Sequence, residues 1–136
     1  MKLRIAMMLL LAASPSAAQQ HRPDDNPFAR HLHAPDLVRM KQLEIGLKEP
    51  QREQIKQEVM KAQTAFTELQ FRIAGESEKV GKLLQAPVVD EAKVLAQVDQ
   101  ILAIEREIKR THVALLVRIH NLLTPEQREK LMKAHH

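Results

Sequence analysis

Seven histidines sit in a chain of 136 residues that has no cysteine. Neutral imidazole suits Zn, Cu, Ni and Co, so metal ligation is the first chemistry these residues suggest. Two groups are paired along the chain, His31-Leu32-His33 and the terminal His135-His136. Both lie near chain ends, and these four are the foremost candidate ligands. The competing reading is that they are solvated side chains which bind metal only adventitiously. Glu105 and His112 are seven residues apart and share one helix face. If the chain folds back on itself, Met60 comes opposite His112. That makes Met60, Glu105 and His112 an internal candidate set of thioether, carboxylate and imidazole. At ~1.5 Å per residue the two helical partners are about 10 Å apart, too far to share one ion without other donors. The alternative there is a polar position that sets register at an interface. His120 falls one residue off the apolar seam and reads as a surface residue.

Other chemistries are thinly represented. The absence of cysteine excludes disulfides, thiol catalysis and Cys-based zinc or iron–sulfur sites. Behind the first eighteen residues there is one serine, Ser77, and there is no glycine-rich phosphate loop and no HExxH or Glu-x-x-His motif. The chain therefore reads as a non-enzyme with no obligatory cofactor, and any metal would be Zn, Cu, Ni or Co.

The N-terminus reads as a leader. Lys2 and Arg4 precede an apolar run from Ile5 to Ala13, and Ser16-Ala17-Ala18 offers small residues for cleavage. The run is too short to span a bilayer, so residues 1–18 are expected to be a secretory signal peptide. Losing Lys2 and Arg4 takes two positive charges from the net +4 of the whole chain. The near-neutral remainder, with three Phe and no Tyr or Trp, carries no nucleic-acid footprint. No later apolar run is long enough for a transmembrane segment.

The histidines must be positioned by helices. Ala, Leu, Lys, Glu and Gln dominate, which disfavours a β-sandwich or barrel. Residues 19–34 are polar and proline-containing and are expected to be a disordered arm, followed by one helical domain over 35–136. Pro50, Pro87 and Pro125 bound two proline-free windows of nearly equal length. In the first, Ile55, Val59, Ala62, Phe66, Leu69, Ile73, Val80 and Leu83 step by three and four, with Glu76 in the gap. In the second, the same stepping gives Val94, Val98, Ile101, Glu105, Ile108, His112, Leu115, Ile119 and Leu122. This is the seam of an antiparallel helical hairpin, each arm roughly 50 Å long at ~1.5 Å per residue. If it turns at Pro87, His112 should lie near Met60 and Ala62, and Glu105 near Leu69. Gly75 and Gly81 make a kink plausible near the end of the first arm. Short helices flank the hairpin. One starts at Pro35 and stops at Gly46. The other starts at Thr124-Pro125-Glu126-Gln127, a capping box with proline at N1. The fold class is thus all-α with four helices. A second apolar line of Leu95, Leu102, Leu116 and Leu123 needs the short helices or another subunit, and a homodimer is expected.

Leu123-Thr124-Pro125-Glu126-Gln127 is an LTxxQ motif, and Leu47-Lys48-Glu49-Pro50-Gln51 occupies the matching place before the first long helix. Two such motifs bracketing a long hairpin, behind a signal peptide, resemble the Spy/CpxP superfamily, which includes CnrX-like and ZraP-like heavy-metal sensor and resistance proteins. The first motif departs at Lys48, which stands where the family has the N-cap Thr. The resemblance implies a hook-shaped protomer, a cradle-like dimer, a periplasmic location, and structural roles for Leu47, Gln51, Leu123, Thr124 and Gln127. It implies a heavy-metal-responsive or envelope-stress protein, either a sensor or a holdase. The alternatives are an ATP-independent chaperone with no physiological metal and a regulator of a membrane-bound signalling protein. For the chaperone reading, Arg106, Lys109, Arg110 and Arg118 beside apolar residues form a candidate surface for unfolded clients. The competing reading is an ordinary solvated helix face.

Overall fold

The computed structural model describes residues 26–134. The leader, residues 19–25 of the arm, and the terminal His135 and His136 lie outside the described residues. Within them all regular structure is helical, in five elements: α1 (Pro27–His31), α2 (Pro35–Met40), α3 (Glu49–Leu83), α4 (Glu91–Leu122) and α5 (Pro125–Lys133). The two long helices pack against each other as the antiparallel hairpin, with the short helices α2 and α5 at its open end. The single turn α1 is an addition to the four expected helices. It lies in the stretch expected to be disordered, and it forms because Asn26 Oδ1 accepts from Phe28 N at 3.0 Å with Pro27 preset at the first position.

Local chemistry explains where each helix begins and ends. Asp90 caps α4 by accepting from Lys93 N at 3.2 Å. The stop after α2 is a Schellman turn. Leu47 N bonds Gln42 O at 2.9 Å, Gly46 N bonds Leu43 O at 3.2 Å, and Gly46 carries φ +67°. Only glycine takes that backbone conformation without strain. Helix α3 runs uninterrupted through Gly75 and Gly81.

The core lies at the open end of the hairpin. Val38 of α2, Ile45 of the turn, Ile55 and Ala62 of α3, Ile119 of α4 and Leu131 of α5 are all buried in one cluster. Full burial of each large aliphatic side chain contributes about 1.5–3 kcal/mol, so this cluster is where the short helices are held. Toward the hairpin tip the core narrows to the seam, with Leu69 and Ile104 as its buried residues.

Along α3 the seam runs where the spacing places it, through Ile55, Ala62 and Leu69 with Val59, Phe66 and Ile73 partly covered. Glu76 fills the gap as a half-buried carboxylate. Its backbone carbonyl accepts from Gln97 Nε2 at 3.0 Å, and its carboxylate bonds the same amide and Lys79. The Gln97 bond and then Lys79 hold this carboxyl below its ordinary range.

Along α4 the expected path needs correction. Ile101, Ile108 and Leu115 face inward, but the positions between them are Ile104, buried, and Thr111, half-buried, while Glu105 and His112 are exposed. Steps of three-then-four and four-then-three connect the same anchors. The chain takes the route that buries Ile104 and leaves the Glu105 carboxylate in water, avoiding the cost of an unpaired buried charge. The His112 ring neighbours Phe66, with centroids 6.5 Å apart and planes tilted by 45°. Across the arms Arg118 pairs with Glu58 at 3.2 Å and Arg72 with Glu107 at 2.9 Å. These pairs are exposed and worth roughly 0–1 kcal/mol each.

The second apolar line of α4 is divided. Leu116 and Leu123 are buried, whereas Leu95 and Leu102 remain 54% and 52% exposed.

Candidate metal site where the N-terminal turn meets the hairpin

The two LTxxQ-type motifs meet through their glutamines and fix the end of α4. Gln127 Nε2 donates to Gly46 O at 3.1 Å and to Gln51 Oε1 at 3.0 Å. Gln51 Nε2 donates to Leu122 O and to Gln127 Oε1, each at 2.8 Å. Each amide oxygen also takes the backbone N–H of its own N-cap, Thr124 at 2.9 Å and Lys48 at 3.0 Å. Thr124 Oγ1 returns a bond from Gln127 N at 3.2 Å, completing the second capping box. Lys48 has no side-chain oxygen with which to do the same. Leu47 and Leu123, the leucines of the two motifs, are partly and fully buried against the core. Arg128 then closes the C-terminus of α4, Nε donating to His120 O at 3.0 Å and Nη2 to Leu123 O at 2.9 Å. Leu123 O lies past the last turn and His120 O takes only the C-cap Leu123 N–H at 3.3 Å, so both have room for a guanidinium.

His120 is held inside this frame. It belongs to the stripe Leu116-His120-Leu123 and is half-buried, not a surface residue. That stripe is readable in the sequence as steps of four and three, but the main seam drew attention away from it. The backbone carbonyl and the imidazole of His31 both act on the His120 ring, the carbonyl favouring its charged form and the imidazole opposing it. His120 Nδ1 is buried and, among the described residues, is the buried side-chain polar atom left without a hydrogen bond. Burial and the neighbouring Arg128 guanidinium push His120 below the ordinary imidazole pKa, against the weaker effect of the His31 carbonyl. The ring is therefore neutral near pH 7. A neutral imidazole with an unpartnered ring nitrogen has the chemistry of a metal ligand.

The other candidates are scattered. His31 ends α1 beside His120, and His33 is buried at 5% exposure two residues on. Met60 is exposed on α3 and borders an apolar groove with Val38, Leu47 and Ile55. Among the described residues no group of three or more His, Asp or Glu is arranged to hold a metal. The orphaned Nδ1 suits a divalent cation by its chemistry, and His31 is the imidazole that acts on this ring.

Of the four basic residues, Lys109, Arg110 and Arg118 border a single groove on the outer side of α4, floored by Val113, Ala114 and Val117. Arg106 is exposed one turn earlier. Phe28 of α1 closes the groove, with Lys109 Nζ 5.6 Å from its ring centroid.

No described helix is long and apolar enough to cross a membrane. Comparisons with curated proteins and with solved structures returned no match. A family model described as heavy-metal resistance, for a Spy/CpxP-like helical family of non-enzymatic resistance and sensor proteins, matches residues 5–130. With the match spanning nearly the whole chain and the all-helical hairpin on the page, the protein belongs to the heavy-metal resistance family.

Proposed function

We propose that this is a periplasmic, non-catalytic, metal-responsive protein that takes a divalent cation such as Zn, Cu, Ni or Co on His120 and His31. The observation that carries this reading is the buried, unpartnered Nδ1 of His120 beside His31. A cation there would join the N-terminal turn to the last turns of α4 and turn metal concentration into order of the arm. His33, His135 and His136 are the further donors that suit the same ion by chemistry. The leader over residues 1–18 supports export to the periplasm. Isothermal titration of the untagged mature protein with zinc tests the reading. His120→Ala is expected to weaken binding by roughly tenfold or more. Equal binding by His120→Ala and the parent would contradict it.

A second reading, an ATP-independent holdase for unfolded clients, is favoured by the groove of Lys109, Arg110, Val113 and Val117, which pairs an apolar floor with a cationic rim. We further propose that two copies pair over Leu95 and Leu102, the open half of the α4 apolar line.

A further inference from the structure

We propose that the groove on the outer side of α4 recognises extended segments in which an aromatic side chain follows carboxylates, and that α1 is its resident competitor. The groove has a floor of Val113, Ala114 and Val117 and a rim that includes Lys109 and Arg110. Arg118, at its end, already pairs with Glu58, so Lys109 and Arg110 are the cations facing an incoming chain. An apolar floor with that rim calls for an apolar group accompanied by negative charge.

The chain's own occupant has this character. Phe28 sits at the groove with Lys109 Nζ 5.6 Å from its ring centroid, a cation–π distance. In the sequence Phe28 follows Asp24-Asp25-Asn26-Pro27, two carboxylates just ahead of the ring. Phe28 is one of only three aromatic residues in the chain, the others being Phe66 and Phe71. Yet it remains 39% exposed, and no residue of α1 is buried. An exposed single turn that contributes nothing to the core is held weakly and can be displaced. The seat is therefore an exchangeable one, filled by Phe28, whose neighbours in the sequence have the chemistry of the segments it would accept from a partner.

The inference deepens the holdase reading and rests on it. It is tested by fluorescence anisotropy with full-length mature protein in chelator, using a labelled Asp-Asp-Asn-Pro-Phe-Ala peptide as the probe. Phe28→Ala vacates the groove without touching the core, and an unchanged helical melting transition verifies the fold. The expected result is peptide binding by Phe28→Ala at least five-fold tighter than by the parent. Adding Lys109→Glu and Arg110→Glu to Phe28→Ala should remove that gain, and a Lys-Lys-Asn-Pro-Phe-Ala peptide should bind several-fold more weakly. No gain on Phe28→Ala, or equal binding of the acidic and basic peptides, would overturn the inference. If the protein suppresses aggregation of a denatured client yet shows no peptide preference, the inference fails and the holdase reading stands.

Discussion

At the scale of single residues, the paired glutamines carry the greatest structural weight. Gln127 is buried, and removing its amide strands Gly46 O and the Thr124 N–H and leaves the Gln51 amide only Leu122 O and the Lys48 N–H. Each buried polar group left without a partner costs about 1–3 kcal/mol. Gln127→Ala is therefore expected to lower stability by about 3 kcal/mol in urea denaturation, with helix content intact before the transition. His120 gives a pH dependence of known sign. Its folded pKa lies below the ordinary 6.5, so the unfolded chain binds the proton more readily. The associated stability is fully present above about pH 6.5 and declines as pH falls through and below that value. His120→Gln should flatten the stability profile between roughly pH 7 and pH 5 in thermal melts, whereas an unchanged slope would place the acid sensitivity elsewhere. The motif glutamines were legible in the sequence because a capping box has a fixed spacing. The orphaned Nδ1 was not, because it depends on which backbone carbonyl a distant turn brings to the ring.

At the scale of elements, prolines and spacing located α3, α4 and α5 closely, since proline excludes itself from helix interiors and a three-four repeat admits one packing face. The route of the seam along α4 was less legible. Ile101, Ile108 and Leu115 are common to two paths, and only the preference for burying Ile104 over Glu105 separates them. That one-residue difference moved Glu105 and His112 off the buried seam. Helix α1 was missed because a single proline-started turn has too little periodicity to register. The divided apolar line on α4 leads to an expectation for assembly. Leu102 is about half exposed, so Leu102→Glu should leave the protomer folded but reduce the mass measured by light scattering from a dimer to a monomer. A parent protein that scatters as a monomer at micromolar concentration would contradict pairing through this face.

At the scale of the molecule, the fold divides its labour along its length. The open end holds the core, both glutamine motifs and the histidine contact, while the tip is a thin two-helix extension with little buried beyond the seam. The proposed metal ligand His120 thus belongs to the end that holds the core, and its partner His31 belongs to the N-terminal turn. A chain with no cysteine and few aromatics can build such a site only from imidazole, carboxylate and thioether, and His120 is the imidazole that the frame holds neutral. The most direct test is long-range 1H–15N NMR of histidine side chains in the untagged mature protein, with and without one equivalent of zinc. The account predicts that His120 Nδ1 moves to a metal-bound shift while its Nε2 stays protonated, with His31 perturbed in parallel. Zinc shifts confined to His135 and His136, with His120 unchanged, would contradict it.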